Sequence, residues 1–153
     1  MDTVNHPKHY TDHPSGVECI ELTEHMDFSL GNAWKYLWRA GKKSNTIVGT
    51  KNHPTPAPEI VTRVKAEEDI AKAVWYISRE IDSRKGRILR RQVVDAVVPS
   101  TMVDKFNQFI KYEISTRAQV FLCLFNGFQA AGSTAPLYDA LKHIEALKNE
   151  VRE

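Results

Sequence analysis

Apolar residues recur along most of this chain at the three-and-four spacing of an α-helix, and no other feature of the sequence narrows the fold as much. Leu30, Ala33, Trp34 and Leu37 stand at i, i+3, i+4 and i+7. Ile70, Val74, Ile77 and Ile81 form a second stripe, and Phe106, Ile110, Ile114, Phe121, Phe125 and Phe128 a third. Leu137, Leu141, Ile144 and Leu147 form a fourth. Such stripes leave water only by packing on one another. The expected fold is therefore mainly α: a small helical-hairpin bundle domain with an irregular N-terminal arm and a C-terminal helical extension.

Punctuation sets the boundaries. Residues 1–16 are rich in His, Pro and Gly and read as an arm without regular structure. A short helix is expected over 17–25, and a second over 29–40, with Ser29 as N-cap and Gly41 as the left-handed residue that closes it. The proline-rich stretch 44–58 reads as a loop. A long helix should follow over 59–84, with Gly86 near its end. Residues 83–99 fit either a helix or a short strand. One helix is expected over 103–131, ended by Gly132, and a last one over 136–152. Residues 1–82 then form a core and 83–153 an extension packed on it.

The 153 residues carry a formal net charge of only +2, so any anionic partner must be held by a local cluster. Two distant cysteines, Cys19 and Cys123, suit a reducing cytoplasm better than a disulfide framework. The N-terminus holds no signal-peptide core, and no run of about 18 apolar residues is present, which argues against a membrane partner.

Residues 38–45, WRAGKKSN, look at first like a phosphate loop. The Walker pattern needs a glycine at position 36, where Tyr36 stands, and Ser or Thr after the lysine, where Lys43 stands. A P-loop also opens a helix, whereas Gly41 closes one, so Lys42 and Lys43 face carbonyls there. The helix before it is more telling. Asn32, Lys35 and Arg39 fall within about 60° of one another at helical pitch. With Lys42 and Lys43 they gather four cations, and no carboxylate lies between residues 29 and 43. Such a cluster is either a solvated face or a phosphate site.

Glu18 and Glu21 share a face of the first helix, and Asp69, Lys72 and Tyr76 share a flank of the long one. Carboxylates on facing helices can hold Mg²⁺, which makes Glu18, Glu21 and Asp69 the candidate metal ligands and Mg²⁺ the candidate cofactor. The plainer reading pairs Asp69 with Lys72. His6, His9 and Tyr10 can hold a nucleobase or simply pack on the core. The basic run Arg79, Arg84, Lys85, Arg87, Arg90, Arg91 has no interleaved aromatics, which disfavours nucleic acid as a partner.

The stretches VNHPKHY, GVECIEL, GNAWKYLWRAGKK and EDIAKAVWYISREI, in that order, resemble a small bacteriophage domain family, catalogued as of unknown function and often labelled a nucleotide kinase. The resemblance spans about residues 4–82. It implies a cytoplasmic protein of an infected bacterial host that binds a nucleotide without a P-loop. Phosphates would lie on Lys35, Arg39, Lys42 and Lys43, base or sugar on His9 and Tyr10, with His6, Asn32 and Lys72 as further nucleotide- or phosphate-binding residues. The leading expectation is a nucleoside monophosphate kinase, with Arg39 and Lys35 neutralising the transferred group, Asp69 orienting metal or nucleophile, and His9 recognising the base or moving a proton. A protein that sequesters a host signalling nucleotide without catalysis is one alternative. The other is an all-α pyrophosphatase similar to the MazG group; Glu18-x-x-Glu21 matches half of its pattern, but Ala66 breaks the other half. Three tryptophans and a phenylalanine-rich C-terminal region offer more apolar surface than one helical layer buries, so a homo-oligomer is expected.

Overall fold

The computed structural model describes residues 7–42 and 58–152, with seven helices and no strand among them. They are α1 (Lys8–Thr11), α2 (Ile20–Thr23), α3 (Phe28–Arg39), α4 (Pro58–Leu89), α5 (Ser100–Ile110), α6 (Ser115–Gln129) and α7 (Ala135–Arg152). The mainly α expectation holds. His6, Lys43 and most of the proline-rich stretch lie outside the described residues.

Local chemistry moves several boundaries. The arm contains one helical turn, α1, rather than irregular chain alone. Asp27, not Ser29, caps α3: its backbone is extended and its carboxylate accepts from the Leu30 N–H at 2.9 Å. An ionised acceptor also suits the partly positive helix start. Gly41 closes α3 at φ +84°, a conformation that strains any residue with a Cβ. Gly86 does lie near the end of α4, but the helix passes the boundary expected at residue 84. The helix runs on to Leu89 and stops in a Schellman turn, where the Gln92 N–H donates to the Arg87 carbonyl at 2.8 Å and Arg91 takes the left-handed position at φ +55°. Residues 92–99 then run without helix or strand. The single helix expected over 103–131 is two, α5 and α6. Ile114, which keeps the apolar period going, is 76% exposed and sits in the break. Gln129, not Gly132, is the last residue of α6.

Two hairpin-like pairs make the bundle. α3 lies along α4, α6 lies along α7, and α4 also runs beside α7. Gly127 lets α7 approach α6 closely, since a Cβ there would stand 2.6 Å from Leu137 Cδ2. The core is one cluster drawn from α2 to α7 and from Val17 and Cys19 just before α2. Trp34 has Phe121 at 4.8 Å and Phe106 at 6.0 Å between ring centroids, and Trp38 stacks on Phe109 at 4.5 Å. Both indoles are fully buried. Much of the apolar surface that suggests an oligomer is therefore covered within the chain, and Trp75 is the tryptophan left at the surface.

Two arginines tie the halves together through backbone carbonyls. Arg117 on α6 donates from Nη1 to the carbonyls of Leu37 (2.9 Å) and Ala40 (3.5 Å), so it satisfies the end of α3 that Lys42 and Lys43 were expected to serve. Arg84, in the middle of the basic run, is not a surface residue. It is 2% exposed, pairs with Glu80 at 3.0 Å, and its Nη1 reaches the carbonyls of Gly127, Ala130 and Ser133 at 2.7–3.0 Å. A cation there also meets the partly negative end of α6.

His13 sits against Glu113, the ion-pair partner of Arg117, and is buried against Trp38 and Phe109, with Nδ1 2.7 Å from Ser15 Oγ and Nε2 3.1 Å from Glu113 Oε1. Burial lowers its pKa. The hydrogen bond to Glu113 opposes that shift, and the charges of Lys42 and Arg117 reinforce it. With a folded pKa below the unfolded value near about 6.5, the unfolded chain binds the proton first. Stability should thus decline as pH falls from about 7 and level off once native His13 also protonates. Urea unfolding of the protein and of His13→Gln across that range checks this: the variant should show a flatter profile, and equal slopes would remove His13 as the cause.

Candidate functional site

The face where α3 meets α4 carries the residues singled out by the sequence, arranged around a ring the sequence reading left in the background. Tyr36 stacks on Tyr76 at 5.9 Å and 11°. Three cations stand near its ring: Lys35 Nζ at 5.0 Å, Arg39 Cζ at 5.1 Å and Lys72 Nζ at 5.3 Å. The spacing explains the grouping. Tyr36 and Arg39 are one turn apart on α3, and Tyr76 and Lys72 one turn apart on α4, so one helix contact brings both pairs together.

Arg39 is held from two sides. Its Nε and Nη2 donate to the two oxygens of Asp69 at 3.2 and 2.7 Å, and Nη1 donates to the Tyr10 hydroxyl at 3.4 Å. Asp69 is 4% exposed. The hydrogen bond to Asp69 is the main reason the Arg39 pKa lies above its ordinary value. Asp69 is thus paired with Arg39 and not with Lys72, which lies 3.8 Å from Glu68. Burial raises the Tyr10 pKa, with Arg39 acting against it, and the phenol stays protonated.

Beside this lattice, α1, α2 and α3 enclose a cleft of about 220 Å³ lined by Pro7, Tyr10, Thr11, Glu18, Cys19, Ile20, Thr23 and Lys35. Its lining is mostly apolar, and Tyr10 and Lys35 stand at its wall. His9 packs on Tyr10 at 4.1 Å between ring centroids. The Cys19 thiol is pushed up to about 12 by burial, so it stays protonated and is a poor nucleophile. Among the described residues no carboxylate lies within ion-pair distance of Lys35.

Other sequence candidates go elsewhere. Asn32 donates to the Phe28 carbonyl of its own helix at 2.7 Å. Lys42 leaves the cluster because Gly41 turns the chain. Its ammonium lies 5.2 Å from the Trp38 ring, and desolvation, reinforced by Arg117, lowers its pKa. Glu21 accepts from the Glu18 N–H at 2.8 Å and pairs with Lys105 at 3.3 Å. With Asp69 engaged by Arg39, the carboxylates of Glu18, Glu21 and Asp69 do not converge. Among the described residues no group of three or more His, Cys, Asp or Glu is placed to hold a metal ion, so the expected Mg²⁺ ligand set is not assembled.

Comparison with known proteins fits this picture without adding an activity. No helix of the described residues is long and apolar enough to cross a membrane. No curated protein and no solved structure matches the chain. Residues 4–51 match the model of a family, DUF3310, described as proteins of unknown function, and the match takes in α1, α2 and the whole of α3 with its cation-bearing face.

Proposed function

We propose that the protein binds a nucleotide without a P-loop, with base or sugar in the α1–α2–α3 cleft and phosphate on Lys35, Lys72 and Arg39. The observation that carries this reading is the convergence of those three cations on Tyr36, next to an apolar cleft walled by Tyr10 and Lys35. At about 220 Å³ the cleft falls short of the roughly 300–1,000 Å³ of pockets that enclose a whole ligand. It suits one ring system, and the charged part of the ligand would lie outside, toward Lys35.

Phosphoryl transfer to a nucleoside monophosphate is a second reading favoured by one feature. Asp69 and Tyr10 fix the Arg39 guanidinium in place, and fixed cations stabilise charge on a transferring group without reorganising. Sequestration is the simpler reading, since it asks only for binding. One assay decides between them. The protein is incubated with a panel of deoxynucleoside monophosphates and MgATP, and binding and product are both followed. Lys35→Ala should weaken nucleotide binding about tenfold, as for loss of a charged hydrogen bond, while leaving the fold intact. Diphosphate formed by the protein and lost in Lys35→Ala supports transfer, and nucleotide recovered unchanged supports sequestration. Affinity that Lys35→Ala leaves untouched would refute the site.

A further inference from the structure

The basic run at the end of α4 has no aromatics within it, but the fold supplies them from the side. Phe28 at the start of α3 is 77% exposed and meets Tyr76 edge-on at 5.9 Å. Trp75 is 57% exposed and meets Tyr76 at 5.0 Å. Tyr36 adds a fourth ring, stacked on Tyr76 at 5.9 Å. Arg79 lies over Trp75 at 5.6 Å, as Lys35, Arg39 and Lys72 lie around Tyr36. Arg79 opens onto a polar groove shared with Ser29 and Asp82, and among the described residues it has no carboxylate within ion-pair distance. The result is a strip of four touching rings flanked by cations across two helices.

A contiguous patch of large apolar side chains left in water marks a contact surface. The cations specify its chemistry, because a polyanion complements them. The exposed ring faces specify more: a partner that offers flat π-surfaces at intervals along a charged backbone. We infer that this strip binds a single-stranded oligonucleotide, with bases stacked on Trp75 and Phe28 and phosphates on Arg79, Lys72 and Lys35. A duplex keeps its base faces inside and offers only phosphates. An acidic protein segment offers charge without the rings. The strip shares Lys35 and Lys72 with the proposed nucleotide site, but Phe28, Trp75 and Arg79 do not line the cleft beside Tyr10.

The chain provides its own reporter. Of its three tryptophans, Trp34 and Trp38 are fully buried, so quenching by an added strand reads Trp75. Titration with dT15 or rU15 should quench the fluorescence. The logarithm of the binding constant should fall against the logarithm of salt with a slope of about −2, as for about three phosphates neutralised. Trp75→Ala and Phe28→Ala, followed by anisotropy of a labelled strand, should each weaken binding roughly tenfold, within the range for loss of one stacked base. Arg79→Ala should flatten the salt slope. These variants should keep mononucleotide affinity, whereas Lys35→Ala should lose both, so failure of the strip and failure of the cleft give different patterns. Absence of quenching by either strand would overturn the inference. So would equal binding of a 15-base-pair duplex or of polyglutamate, or Trp75→Ala binding as well as the parent protein.

Discussion

Arg84→Leu is expected to lower the unfolding free energy by roughly 3–5 kcal/mol, the usual effect of removing one member of a buried ion pair. Two losses combine. Among the described residues Glu80, 4% exposed, keeps Arg87 at 3.1 Å, whose side chain is itself 36% exposed. The carbonyls of Gly127, Ala130 and Ser133 lose their common donor at the point where α6 turns into α7. An Nη1 atom has two hydrogens, so these three acceptors share them. A lysine at the same place offers a compact ammonium in place of a planar fork and should recover only part of the loss. Thermal unfolding should shift by roughly 10 °C for a chain of this size. A midpoint for Arg84→Leu within about 2 °C of the parent would show that solvent replaces the arginine without penalty.

Arg39→Ala should be nearly as damaging, by roughly 3 kcal/mol, since it strands the Asp69 carboxylate on the buried side of α4. Adding Asp69→Ala to it should cost less than the sum of the two single changes, because the second removes the charge that the first leaves uncompensated. Urea unfolding of the four proteins measures the coupling directly, and simple additivity would mean that the two-pronged contact is not maintained in solution. The same cycle separates structure from ligand. Asp69→Asn keeps the shape, weakens the hold on the guanidinium and should raise the affinity of Arg39 for inorganic phosphate. Lower affinity in that variant would show that Asp69 positions Arg39 for the anion.

What the chain revealed beforehand follows the range of the interactions involved. The stripe of α3 and most of that of α4 were legible because helix periodicity is local, and Gly41 announced its own conformation. The α5–α6 break was not, because Ile110 and Ile114 hold the period across it although Ile114 faces water. Asp69 stands in the sequence as a carboxylate beside a buried stripe, but its partner in the fold is not the one the sequence offers. Lys72 is three positions away and visible in sequence, whereas Arg39 reaches Asp69 only through the register of two packed helices. Lys42 looked like one more member of the cluster until the turn at Gly41 carried it to Trp38. Trp75 and Phe28 gave no sign of a shared row, since an aromatic in a helical pattern reads as core unless the neighbouring helix is known.

The α3 segment has a further implication for any shorter polypeptide built on the same stretch. Its two indoles are shielded by Phe106, Phe109 and Phe121, all of which follow residue 100. A polypeptide carrying this α3 sequence with Trp34 and Trp38 but lacking those phenylalanines would have to roof the indoles some other way, with a tail of its own or with a sister molecule, and two buried rings would then dictate its assembly state.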